Sequence, residues 1–259
     1  MASAPQNMLP VFYEKLEPLS SETHADFKAR MVDKAPFLAK HHAVPLTVDE
    51  FVLAQRHFPI VFSAGADPVP LALMGLNEGV NTFVDAEGKL LESVYVPAYV
   101  RRYPFMLAKL RPDTDDLSLC FDPTSDAIGA FEEGEPLFAE GKPSQATQDV
   151  LKFAEQFEQS AQRTGQFMKE IAELGILQDG EVGIQPADSD KPFVYRGFQM
   201  VSEEKLRDLR GDQLRKMAQS GVLPLIYAHM FSLSLMRDIF ARQMQQGSMP
   251  QPDMPPVSA

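Results

Sequence analysis

The chain has 259 residues, 44% of them hydrophobic, enough for an ordinary buried core in one large domain or two small ones. Its formal net charge of −12 opposes phosphate backbones and anionic membrane surfaces, so nucleic acid is not expected as a general partner. The single cysteine, Cys120, excludes an intrachain disulfide and a thiolate metal cluster, and fits a reducing, cytoplasmic setting.

Residues 1–10 read as a flexible N-terminus without the cationic flank or apolar run of a secretory signal, so export by the general pathway is not expected. Thr47-Val48-Asp49-Glu50 is a capping box, and Leu46 with Phe51 matches a hydrophobic staple, so a helix is predicted from about Val48 to His57, limited by Pro59. The apolar runs Ile60–Ser63, Leu71–Leu76 and Asn81–Val84 are separated by turn residues and read as strands. Their close spacing leaves no room for crossover helices, which predicts antiparallel pairing. Leu117–Asp122 is a further strand, ending at Pro123.

Between Gln145 and Leu174 the apolar residues Val150, Phe153, Phe157, Ala161, Phe167, Ile171 and Leu174 recur at helical spacing, with Gly175 as a left-handed cap. Residues 178–191 are polar and read as a loop or hairpin, followed by a strand over Phe193–Val201. Ser202 then caps a helix whose first turn holds Glu203 and Glu204, the favourable sign for the helix dipole. Gly211-Asp212 separates it from a short helix stopping near Ser220-Gly221. The last element runs from about Leu223 to Gln246, with Pro224 in its first turn. Its apolar first half predicts burial against the sheet, being too short for the roughly 20 residues of a membrane span. Residues 247–259, with four prolines, read as a disordered tail.

These elements predict an α+β fold: a single domain over residues 11–246, with a mainly antiparallel sheet from residues 58–122 and 193–201. Helices around 145–174 and 203–246 pack against that sheet.

The most specific stretch is Val94–Phe105, Val-Tyr-Val-Pro-Ala-Tyr-Val-Arg-Arg-Tyr-Pro-Phe. Aromatic faces beside guanidinium forks recognise anions, carboxylates and planar groups, which makes Tyr95, Tyr99, Arg101, Arg102 and Tyr103 the candidate ligand-binding residues. As a short helix after Pro97, the segment puts Tyr99 and Tyr103 on one face; as a strand, it aligns Tyr95, Tyr99, Arg101 and Tyr103. Pro97 and Pro104 favour the helix or an irregular segment. The structural alternative has one arginine anchoring a buried carboxylate while the tyrosines fill the core edge.

The remaining candidates point to packing and turns. His41-His42 are adjacent, and His24, His57 and His229 lack metal-ligand spacing, so no metal is expected. Cys120 lies between Leu119 and Phe121 in a predicted strand, a setting that keeps a thiol neutral. Asp122 with Asp126, and Asp113, Asp115 and Asp116, read as solvated turns. No Walker loop, dinucleotide fingerprint, nucleophile elbow or zincin helix is present, and no cofactor is expected. The Met and Phe stripe of the last helix could form a partner groove, since thioethers adapt to irregular apolar ligands, but core packing is the simpler account, with part of the face open to a homo-oligomer contact.

The chain resembles the SapC family of bacterial proteins. The resemblance is carried by Phe58-Pro59-Ile60-Val61-Phe62, Leu73-Met74-Gly75-Leu76, Asn81-Thr82-Phe83-Val84-Asp85, the block from Tyr95 to Phe105, and Gly197-Phe198 followed by Val201. It covers roughly residues 45 to 243, and Arg101-Arg102-Tyr103-Pro104-Phe105 is its most specific part. One departure is Lys89-Leu90-Leu91, where similar proteins often carry a tryptophan and this chain has none. The resemblance implies little mechanism by itself; its surface-layer and TonB-dependent uptake context, taken with the tyrosine-arginine block and the absence of catalytic signatures, leads to the expectation of a noncatalytic accessory or ligand-binding protein linked to such a system. The partner would be an unidentified protein or a small anionic or aromatic ligand. An enzyme acting on a peptide, glycan or aromatic substrate is the rival expectation, with Asp122 and a tyrosine of the block converging in a pocket; an interaction scaffold is a third.

Overall fold

In the computed structural model the described residues are 9–91, 93–110, 116–185 and 192–248. All the strand pairs within them are antiparallel, and several sheets combine with helices in an α+β fold. The chain groups into two compact units, one from residues 1–33 with 101–158, the other from residues 34–100 with 159–259.

The second unit is built on a five-stranded sheet in the order Leu177–Asp179, Phe198–Val201, Ile60–Ser63, Pro70–Leu73, Ala43–Pro45. Ile60–Ser63 and Pro70–Leu73 are buried along their whole length, which is why they read as unbroken apolar runs rather than alternating ones. The helix Val222–Ser232 packs on Ile60–Ser63, as its apolar first half predicts. It holds both ends of one residue. The Ile60 amide donates to Ser232 Oγ at 2.8 Å, and His229 Nδ1 lies 2.7 Å from the Ile60 carbonyl. His229 Nε2 accepts from the Val201 amide at 3.1 Å, so the ring proton sits on Nδ1 and donates to Ile60.

The capping box forms, with a 3-10 turn at Val48–Glu50 leading into the one-turn helix Phe51–Ala54. Glu50 does more than cap. Its Oε2 accepts from the Thr47 amide and hydroxyl, both at 2.9 Å, while Oε1 accepts from the Ala98 amide at 2.6 Å and the Tyr95 hydroxyl at 3.0 Å.

The first unit has a three-stranded sheet of Glu17–Pro18, Leu117–Phe121 and Phe105–Lys109, with Phe105 opposite Phe121 and Lys109 opposite Leu117. Lys28–Ala29 pairs with Ile128–Gly129 on one side and Glu135–Pro136 on the other. Phe105, Phe121, Ile128 and Leu137 form its core, and Val150 from the helix Gln145–Glu173 packs against them.

Four expectations are corrected. Leu117–Phe121 does not join the sheet of Ile60–Ser63 but pairs with Phe105–Lys109, a strand whose start is hidden in the sequence behind Pro104. Asn81–Val84 is a turn with a lone bridge from Val84 to Leu90, because the Asn81 amide donates to the Leu38 and His41 carbonyls and its Oδ1 accepts from the Phe83 amide. Phe193–Val201 is two strands in different sheets, Phe193–Tyr195 and Phe198–Val201, broken where Gly197 takes φ +92°. The last helix is interrupted by a 3-10 turn at Leu233–Leu235 before Met236–Gln245. The expected flexible terminus and tail fall largely on residues 1–8 and 249–259, which lie outside the described residues, as do Asp113 and Asp115.

Candidate functional site

The helix Ala98–Arg101 follows Pro97, so the short-helix alternative for the block is the one that forms. Glu50 fixes its entry through the Tyr95 hydroxyl and the Ala98 amide. Tyr95 is half-buried and Tyr99 is buried in the second unit. Tyr103 lies beyond the helix in a turn, so it does not extend the Tyr99 face. Its ring packs edge-on against Tyr13 at 5.3 Å and Phe12 at 6.4 Å in the first unit.

The two arginines differ. Arg102 is buried, with its guanidinium carbon 4.4 Å from the Phe157 ring centroid and 5.8 Å from that of Tyr13. Its Nη1 lies 3.9 Å from Glu158 Oε1. Partial burial raises the Glu158 carboxyl above its ordinary range, and the nearby Arg102 charge offsets part of that rise. Arg102 thus lies against a carboxylate and an aromatic ring, although the carboxylate is half-buried where the structural alternative has a buried one. Arg101 is exposed and lies over Phe153, 5.1 Å from the ring centroid.

Arg101 and Arg102 line a hollow of about 270 Å³ with Phe105, Asp149, Val150, Phe153 and Ala154. Asp149 is exposed, and its Oδ1 accepts from the Gln145 side-chain amide at 2.9 Å. Two guanidinium groups, of which Arg102 already faces Glu158, one carboxylate and an apolar floor thus share a single recess. None of Tyr95, Tyr99 and Tyr103 is among its lining residues. The stripe Val150, Phe153, Phe157 was expected on the core face of its helix, yet all three are only half-buried, and the two phenylalanines carry the guanidinium groups. Asp149 gave no functional signal in the sequence. What ties it to the block is its place one turn before Phe153, and nothing in the sequence pairs Phe153 with Arg101.

Asp122 has a different task from the one the enzyme rival needs. It is fully buried and accepts from the Glu14 amide at 2.7 Å, the Thr124 hydroxyl at 2.7 Å and the Thr124 amide at 2.9 Å. Burial alone would raise its carboxyl, but these hydrogen bonds outweigh it and hold the group below the ordinary carboxylate range. A carboxylate held ionised in this way is a turn anchor rather than a proton donor. Tyr103, near Asp122, is raised above the ordinary phenol value, first by burial and then by the Asp122 charge. Cys120 is buried and its thiol is pushed up to about 11 by burial, so it is neutral and unreactive.

Among the described residues no group of three or more His, Cys, Asp and Glu side chains is placed to hold a metal, and no helix is long and apolar enough to cross a membrane. No curated protein and no solved structure matches the chain. The SapC family model matches residues 19–239, through both arginines, Phe105 and the helix that faces them, and the chain belongs to the SapC family.

Proposed function

We propose that this SapC-family protein is a cytoplasmic, noncatalytic accessory protein that binds a small ligand in the hollow beside Arg101, in the service of a bacterial surface-layer or TonB-dependent nutrient-uptake system. The supporting observation is the division of labour within the arginine pair. Arg102 is buried against Phe157 and Glu158, whereas Arg101 is exposed over Phe153 at the edge of a recess. A cation held over an aromatic face is a recognition arrangement for a carboxylate or a planar group. Purification of the full chain from its native host at low salt, followed by native mass spectrometry, tests the reading. A small molecule retained by the parent and lost from Arg101→Ala is the expected result. No retained molecule in either protein, or equal retention in both, overturns it.

A second reading, an interaction scaffold, is favoured by one observation. Tyr227 and Phe231 stack with centroids 5.7 Å apart on the helix Val222–Ser232, and Phe231 is 67% exposed. Exposed stacked aromatics are a common signature of protein contacts. Sedimentation of the parent and of Phe231→Ser separates the readings: a smaller species for the variant supports an oligomer through this face, and identical behaviour removes it.

A further inference from the structure

The hollow beside Arg101 carries more chemical information than a general affinity for anions. A site for sulfate, phosphate or a dicarboxylate gathers cations and excludes negative charge. Here Asp149 lines the same recess as Arg101 and Arg102, and the Arg102 charge is already met by Glu158 outside the lining, in a chain whose net charge opposes anions. The Asp149 carboxylate repels a purely anionic ligand and attracts an ammonium group. The rest of the lining is apolar, with Phe105, Val150, Phe153 and Ala154. Helical spacing sets the scale: Asp149 and Phe153 are four residues apart, about 5–6 Å between Cβ atoms, and Arg101 lies over the Phe153 ring. Charges of both signs therefore border one apolar floor. The volume of about 270 Å³ is also just below the roughly 300–1,000 Å³ typical of drug-sized ligands.

We infer that the Arg101–Asp149 hollow takes a small zwitterion, an α-amino acid with an aromatic or branched aliphatic side chain. Its carboxylate meets Arg101, its ammonium group meets Asp149, and its side chain lies on Phe153, Val150 and Ala154. Arg102 holds the recess in shape through Phe157 and Glu158. The inference rests on the ligand-binding reading above and specifies the ligand's class.

Isothermal titration calorimetry of the full chain with L-phenylalanine, L-leucine, their N-acetyl derivatives and their methyl esters tests it. At least one of the two amino acids binds, and removing either charge, by acetylation or esterification, weakens binding by about tenfold or more, because each charge-assisted contact is lost. Arg101→Ala loses a comparable factor. Asp149→Asn, an exposed substitution that leaves the fold intact by circular dichroism, binds phenylalanine and its N-acetyl derivative within about twofold of each other. If the N-acetyl derivatives bind the parent as tightly as the free amino acids, the site is a plain carboxylate site. The zwitterion inference then fails while the ligand-binding reading survives. If neither amino acid binds, the inference also fails, and the mass-spectrometric comparison of parent with Arg101→Ala decides separately whether any ligand occupies the recess.

Discussion

The Arg102 guanidinium carbon lies 4.4 Å from the centre of the Phe157 ring, and Glu158 Oε1 lies 3.9 Å from its Nη1. Both partners come from consecutive positions of one helix, so a single buried cation ties the aromatic block to that helix within the first unit. Arg102→Ala removes the cation–π contact and leaves a half-buried carboxylate without its counter-charge. A loss of about 2–3 kcal/mol is expected in urea unfolding. Arg101→Ala, at an exposed position over Phe153, costs less, about 1 kcal/mol or below. Equal losses for the two variants contradict the division of labour proposed for them.

Glu50 is the corresponding anchor in the second unit. Its carboxylate accepts four hydrogen bonds, two within the capping box and two from Tyr95 and Ala98. Glu50→Ala leaves buried donors unsatisfied and is expected to cost about 3 kcal/mol or more, whereas Tyr95→Phe, which deletes one donor, costs about 1 kcal/mol. Denaturant midpoints of the two variants at constant slope measure the difference.

His229 makes stability depend on pH. It is fully buried and neutral, and burial lowers its pKa from 6.5 to about 4, with the hydrogen bond to Ile60 opposing part of that shift. The unfolded chain takes up a proton near 6.5 and the folded chain only near 4, so between these values the unfolded state binds more protons. The stabilisation is whole above about pH 6.5 and is lost as the pH falls toward 4, roughly 2–3 kcal/mol by pH 4.5. His229→Gln removes this titration. A flatter dependence of unfolding free energy on pH for the variant, measured between pH 7.5 and 4.5, is the expected outcome.

Cys120 offers a test of burial. Its side chain has no solvent exposure and its thiol is raised to about 11. Alkylation of the native protein at pH 8 is therefore expected to be at least about a hundredfold slower than in denaturant, since the thiolate is both scarce and shielded. Rapid native labelling, followed by mass spectrometry, would show that this strand opens readily.

Local signals carried much of the fold. The capping box at Thr47–Glu50, the helix Gln145–Glu173 and its left-handed Gly175, the Ser202 cap and the stop at Gly221 are written in neighbouring residues, because caps, turns and helical periodicity are short-range effects. The antiparallel pairing of Ile60–Ser63 with Pro70–Leu73 follows in the same way from a connection too short for a crossover. Sheet membership was not legible: Leu117–Phe121 is as apolar as Ile60–Ser63, and its partner is chosen by long-range packing on Phe105, Ile128 and Leu137.

The same boundary runs through the candidate site. By itself the sequence favoured a short helix or an irregular segment over a strand after Pro97, marked its tyrosines and arginines as its distinctive residues, and, through their resemblance, pointed to the family the chain joins. Only the tertiary structure separated Arg101 from Arg102. It buried one against Phe157 and Glu158, and it set the other over Phe153 beside Asp149. Adjacent arginines are identical to any local rule, and the difference between them arises from Phe153, Phe157 and Glu158 of a helix far along the chain, whose burial and charge are felt only once the core has formed.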